Sequence, residues 1–234
     1  KYLLENGANL QDKDIYGRTA FMMTCAHNTN VEVIKYLWKK HTTNIPDKSK
    51  IRLIAFKYGC KHNTDPAIIK FFQCKIGKTY NKYKKYDKAI KWYEKAGNEG
   101  FVKAQYKLAR IYENQKNILK EIFWYKEVIK SESKYLSKSL NNLGCAYLKL
   151  GKNEQLQNKA FEVIAKSAEM GIIQSWLNFA LLLHYQKLDY KKALEWYNIA
   201  MENTPNEKLF KKIKKHFEIC KQTVERLEAS PFRA

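Results

Sequence analysis

A tryptophan-tyrosine pair recurs along this chain at Trp92-Tyr93, Trp124-Tyr125 and Trp196-Tyr197, separated by 32 and then 72 residues, the second interval being two steps of 36. Recurrence at a period of 30 to 40 residues is the mark of stacked structural units, each too small to bury its own apolar face alone. Four further segments carry an apolar residue, a small residue and an aromatic or leucine three positions on: Ile76-Gly77-Tyr80, Leu108-Ala109-Tyr112, Leu143-Gly144-Tyr147 and Phe179-Ala180-Leu183, spaced by 32, 35 and 36. Each is followed by a second set containing the aromatic pair or its substitute: Ala89-Trp92-Tyr93-Ala96, Trp124-Tyr125-Val128, Ala160-Ile164-Ala168 and Ala193-Trp196-Tyr197-Ala200. Two helices per unit, meeting through small residues that let backbones approach, satisfy this pattern. The aromatic pairs are therefore packing elements and not platforms for stacking bases.

A second repeat occupies the first 72 residues. "AFMMTCAHNTNVEVIKYL" at 20–37 falls on "AFKYGCKHNTDPAIIKFF" at 55–72 with a shift of 35, and "KYLLENGAN" at the start falls on "KYLWKKHTT" at 35–43. The stretch "DIYGRTAFMMTCA" resembles the ankyrin signature, in which Gly17 and Thr19 shape the turn into a short helix and Ala20 and Phe21 begin its buried face. Met22 stands where that family usually has histidine, and the third copy, "NIPDKSKIRLIAFKYG", lacks the turn residues. The later units resemble tetratricopeptide repeats, and "EKAGNEGFVKAQYKLARIYEN" and "AKSAEMGIIQSWLNFALLL" are similar to the longer Sel-1-like variant.

The fold class these resemblances imply is all-α: an α-α superhelix, or helical-repeat solenoid. Its ankyrin part, 1–72, has a truncated first and a degenerate last repeat. Four tetratricopeptide/Sel-1-like units follow at 70–206. At 207–229 a capping helix carries its stripe at Leu209, Phe210, Ile213, Phe217, Cys220, Val224 and Leu227, stopped by Ser230-Pro231. The two repeat types overlap, because "DPAIIKFFQCKIGKTYNKY" at 65–83 holds both the last ankyrin helix and the first tetratricopeptide helix. One helix of about 18 residues, with Pro66 in its first turn, serves both. Residue 1 is a lysine inside a helical pattern, so the chain reads as a fragment whose targeting signal, if any, lies upstream.

The formal net charge is +21, from 44 basic and 23 acidic residues. Such a surplus attracts polyanions, yet only Arg18, Arg52, Arg110, Arg226 and Arg233 among the basic residues are arginines, the side chain suited to bidentate phosphate and guanine contacts. Five cysteines with no CxxC spacing suggest neither a disulfide framework nor a zinc knuckle. Cys25-x-His27 and Cys60-x-His62 sit one repeat apart, where a small buried cysteine and a turn histidine account for them better than a metal does. No GxSxG, HExxH, phosphate-binding or dinucleotide motif occurs, so the chain is read as non-enzymatic, with no cofactor and no metal. No apolar run is long enough to span a bilayer, and the expected location is intracellular, probable cytoplasm by cysteine usage.

Function then rests on recognition. In tetratricopeptide arrays the first helix of each unit lines the concave groove, and the resemblance assigns to it Lys75, Lys78, Lys82, Lys103, Lys107, Arg110, Asn114, Lys138, Asn141, Asn142, Asn178 and His184. Lysine ammonium and asparagine amide groups supply donors for carboxylates and for an extended backbone, so an acidic peptide or protein segment is the expected partner. Lys138 and Asn142 fall on slots of the two-asparagine, three-base clamp that chaperone-binding members use for a terminal carboxylate, but Lys78 stands where the first-unit asparagine belongs. The alternative is a basic solenoid that binds RNA, DNA or anionic lipid. The oligomeric state is open.

Overall fold

The computed structural model describes residues 12–41, 48–151 and 153–229. Among them the chain is all-α, its helices packing in consecutive pairs as a helical-repeat solenoid. It divides into two compact units, residues 1–111 and 112–234.

The first unit contains α1 (Ala20–His27), α2 (Val31–His41), α3 (Lys48–His62), α4 (Pro66–Lys82), α5 (Tyr86–Asn98) and most of α6 (Val102–Asn114). The turn into α1 is built by Asp14, whose carboxylate accepts from the backbone N–H of Tyr16 and Arg18 at 3.0 and 2.8 Å, while Gly17 takes φ +74° and Thr19 caps the helix by accepting from Met22 N–H at 3.2 Å. α1 packs on α2 and α3, and α3 on α4. Their core is Phe21, Cys25, Ile34, Ala55, Phe56, Ile68, Phe72 and Ile76. Phe56 meets Phe21 edge-on at 5.9 Å and stacks on Phe72 at 5.2 Å. Asn63 ties the two repeat copies together, donating to the carbonyls of Cys25 and Asn28 at 2.9 and 3.1 Å.

α4 is a single 17-residue helix with Asp65 as N-cap and Pro66 in its first turn. One stretch packs on α3 and the same helix packs on α5. Its junction with α5 turns on Gly77: a methyl added there would lie 2.8 Å from the ring of Tyr93, so only glycine admits that fully buried tyrosine. Trp92 covers the α1–α4 core from outside, which is the packing role expected of the pair.

The second unit contains α7 (Ile118–Ile129), α8 (Leu136–Leu150), α9 (Glu154–Glu169), α10 (Ile173–Leu182), α11 (Tyr190–Glu202) and α12 (Glu207–Ala229), each packed on the next. Tyr125, Ile164 and Tyr197 occupy equivalent second-helix slots and are fully buried, as are the small residues Ala160, Ala193 and Ala200. Glu121 stands where the repeat pattern expects alanine, and it too is buried, 1% exposed, accepting a salt bridge from Lys149 at 3.2 Å. Where a first helix ends without glycine, a side-chain-bearing residue takes the left-handed conformation: Lys84, Lys116 and Leu188 have φ of 57°, 57° and 55°.

Two sequence expectations change. Leu183–Lys187 forms a π-helical turn that extends α10. The stripe of α12 is narrower than its spacing suggests, because Ile213 and Cys220 are buried against α11 whereas Phe210 and Leu227 are exposed. The expected stop at Ser230-Pro231, the leading "KYLLENGAN" segment and the start of the third ankyrin copy at 42–47 lie outside the described residues.

Candidate functional site

The residues that matter in the first unit are set by the register of α4. Its buried face takes Ile68, Phe72, Ile76 and Gly77, which leaves Lys75, Lys78 and Lys82 on the adjoining face. Together with Arg52 from α3, Thr79 and Asn81 from α4, Tyr93 from α5 and Lys107 from α6, they line a cavity of about 330 Å³. Among the described residues, five of the eight lining side chains are cationic and none is a carboxylate. Lys78, Lys82 and Lys107 make no ion pair among the described residues.

Like charges held this close, and partly withdrawn from water, repel. Burial, with Lys103 and Lys78 nearby, pulls the Lys75 ammonium down to about 8, and the same causes lower Lys107. The Lys75 ammonium lies 5.0 Å from the centre of the Phe71 ring, which offsets part of this. Tyr93 is pushed up by burial, so its phenol keeps the proton and remains a donor. The arrangement can hold a multiply charged anion.

The amides of the second unit do something else. Asn178 donates to Asn141 at 2.8 Å, Asn141 donates to Asn142 at 3.3 Å, Asn142 donates to the Tyr125 hydroxyl at 2.9 Å, and that hydroxyl donates to Glu113 at 3.1 Å. Asn141 is buried. The Asn178–Asn141 bond thus joins the first helices α8 and α10, and Asn142 reaches Tyr125 on the second helix α7, so part of the amides' hydrogen-bonding capacity is spent inside the array. Asn114 and Lys138 are exposed, and Arg110 is exposed and does not line the cavity. His184, read as a groove residue, is a core residue. It continues the buried face of Leu177 and Ala180, stacks on Tyr185 at 4.0 Å and lies 3.3 Å from the Tyr197 hydroxyl, and burial, then His216, lowers its pKa.

Sequence reasoning placed Lys75, Lys78, Lys82 and Lys107 on one surface but missed Arg52, Thr79, Asn81 and Tyr93. The shared helix at 65–83 was the available signal, since a helix common to both repeats must have α3 as neighbour on one side and α5 on the other. Cys25 and Cys60 are both raised by burial, Cys60 to about 12, so neither is a ready thiolate. No group of three metal-ligating side chains converges among the described residues. No helix there is long and apolar enough to cross a membrane.

Comparison with known proteins agrees with the repeats. Residues 1–37 match the family model for ankyrin repeats (many copies), and residues 72–96 and 102–135 match that for the tetratricopeptide repeat. Among solved structures the chain is similar to a Sel1 repeat protein from Oxalobacter formigenes, at 22% identity and TM-score 0.58, covering 74% of this chain and 72% of that one. It is similar to a tetratricopeptide repeat protein from Parabacteroides merdae at 14% identity and TM-score 0.59, covering 89% and 77%. A protective antigen of uropathogenic Escherichia coli displaying an SLR fold aligns at 22% identity and TM-score 0.58, over 77% of this chain but 38% of that one. At these identities the likeness shows the fold. No curated protein sequence matches the chain. It thus opens with ankyrin repeats and continues in tetratricopeptide repeats, with Sel1 and tetratricopeptide proteins as structural neighbours.

Proposed function

We propose that this chain is a non-catalytic, intracellular interaction scaffold that holds an acidic segment of a partner protein against the basic face of its first unit. In this reading the ankyrin part spans 1–72, the tetratricopeptide/Sel-1-like part 70–206 and the cap 207–229. Repeat proteins of the tetratricopeptide and Sel1 type typically mediate protein–protein interaction and are generally non-catalytic. The observation that carries the reading is the cavity lined by Arg52, Lys75, Lys78, Lys82 and Lys107, with no carboxylate among its described lining residues. An ankyrin-derived helix and tetratricopeptide helices each contribute cations to it, so the overlap of the two repeats creates the binding feature. Arg110 and Lys138 add exposed charge along first helices, while Asn141, Asn142 and Asn178 hold neighbouring first helices in register.

Affinity capture tests this. Lys78→Glu/Lys107→Glu leaves the fold intact by circular dichroism, because both side chains stand outside the apolar core, and it loses the proteins that the wild type retains. Identical captured sets would sink the reading. Labelled single-stranded RNA, titrated at about 50 and 200 mM salt, addresses the polyanion alternative, for which affinity falls steeply with salt. RNA affinity that exceeds partner affinity at the higher salt would replace the protein partner.

A further inference from the structure

The cavity's compactness and charge say more about what enters it, on the premise that an acidic partner segment is the ligand. An extended acidic peptide presents one charge per carboxylate, spread along the backbone. The first unit instead gathers five cations around about 330 Å³. A phosphoryl group brings close to two charges and three acceptor oxygens into the space of a single side-chain terminus, so each ammonium gains nearly twice the Coulombic attraction it has for a carboxylate. Three tetrahedrally disposed oxygens can also accept from several lysines and an arginine at once. We infer that this cavity is a phosphoryl site, and that it seats a phosphorylated serine or threonine of the partner segment.

Three observations support the assignment. The donors are of mixed kind: three lysines from α4, one lysine from α6, Arg52 from α3, and the Asn81 amide and Tyr93 phenol beside them. Thr79 lines the cavity but spends its hydroxyl proton on the Lys75 carbonyl at 3.0 Å, which leaves the cationic groups as the main recognition set. The empty cavity is electrostatically uncomfortable, Lys75 and Lys107 being depressed by burial and by Lys103 and Lys78, and a dianion removes that repulsion. A nucleic acid strand requires positive charge repeated at each phosphate. The cavity gathers five of the chain's 44 basic residues around one space, and in the second unit Asn178 donates to Asn141 on the neighbouring first helix.

The test uses the full chain and three labelled heptapeptides of glycine and alanine with a central phosphoserine, a central serine or a central pair of glutamates, together with inorganic phosphate. Binding is followed by fluorescence anisotropy and phosphorus NMR. The phosphoserine peptide binds about ten-fold tighter than the glutamate peptide, and Lys78→Gln or Lys107→Gln each weakens it about ten-fold while Lys208→Gln on exposed α12 leaves it unchanged. Its affinity rises with pH through about 6, where the phosphoryl group becomes a dianion, and the glutamate peptide shows no such step. Equal affinity for the glutamate peptide overturns the phosphoryl assignment and leaves the acidic-partner reading standing. Inorganic phosphate binding as tightly as the phosphopeptide overturns the partner-borne source. Captured partners indifferent to Lys78→Glu/Lys107→Glu remove the reading beneath it.

Discussion

Gly144→Ala separates the packing account of the repeat from a propensity account, because the two predict opposite signs. Gly144 lies in the middle of α8, where alanine favours the helix by about 1 kcal/mol over glycine. The structure puts α9 in the way. A methyl built on Gly144 lies 2.4 Å from Ile164 Cγ1, 2.7 Å from Ile164 Cδ1 and 3.1 Å from the Ala160 carbonyl oxygen. Ile164 is fully buried, and a β-branched side chain in a helix has one strongly preferred χ1, so it has no alternative rotamer to occupy. The Ala160 carbonyl is backbone and yields only if α9 moves. Overpacking of this kind costs about 1–3 kcal/mol, and with the collision this close the upper half of that range applies. After the helix gain, Gly144→Ala destabilises by about 1–2 kcal/mol, which lowers the thermal midpoint followed by circular dichroism by roughly 2–8 °C. Ile164→Ala removes both colliding carbons. In that background Gly144→Ala becomes neutral or stabilising, and the double-mutant cycle reports a coupling of about 1–3 kcal/mol. A higher midpoint for Gly144→Ala in the otherwise wild-type chain would refute the reasoning, since glycine would then be filling no packing slot.

Tyr93→Ala empties the slot against Gly77 and costs about 3 kcal/mol by urea titration; a loss below about 1 kcal/mol would show that Tyr93 fills no packing slot there. Lys149→Met removes a cationic partner of the buried Glu121 carboxylate and destabilises by about 1–2 kcal/mol, reduced from the cost for a fully buried pair because Lys149 is 46% exposed, whereas Glu121→Ala/Lys149→Met regains part of that stability in the same titration. Lys116→Gly relieves a left-handed residue and raises the midpoint by an amount worth about 0.5–1 kcal/mol, while the same change at helical Lys126 lowers it. For Lys75 the folded-state pKa, about 8, lies below the ordinary 10.5, so between these values the unfolded chain binds more protons and stability rises with pH. The urea midpoint of the wild type gains on that of Lys75→Met from pH 8 to 10, and parallel curves would show that the ammonium is not depressed.

Much of the fold was legible because its determinants are local and periodic. Tyr93, Tyr125 and Tyr197 are fully buried where the 32- and 36-residue steps put them, and Gly17 and Thr19 form the turn that their spacing requires. What escaped periodicity was whatever depended on a single departure from it. The π-turn at Leu183–Lys187 is one such departure; the groove assignment of His184 fails for a different reason, since it follows Ala180 by one helical turn and Leu177 by two and so belongs to their buried face, close to the Tyr197 hydroxyl. Phe210 and Leu227 fit the stripe of α12, but α11 spans only 13 residues against the 23 of α12 and covers the stripe chiefly at Ile213 and Cys220.

The site was legible in part for the same reason. A helical wheel assigns Lys75, Lys78 and Lys82 to one face of α4, and the repeat step adds Lys107 from α6. It cannot say that Asn141, Asn142 and Asn178 would spend their hydrogen bonds on one another, since each amide carries donor and acceptor and chooses between partner and neighbour only once the helices are packed. Nor does the tetratricopeptide step reach Arg52, which belongs to the ankyrin part, where its counterpart one 35-residue step earlier is Gly17. The place of Arg52 in the cavity follows from α4 being shared. A helix that ends one repeat family and begins another must present its basic face between α3 on one side and α5 and α6 on the other, so the cation cluster is a product of the splice. It follows that inserting residues between Phe72 and Lys75 would separate Arg52 from the four lysines and would also carry Ile76 out of the core that it shares with Ile68 and Phe72, so cluster and core are lost together.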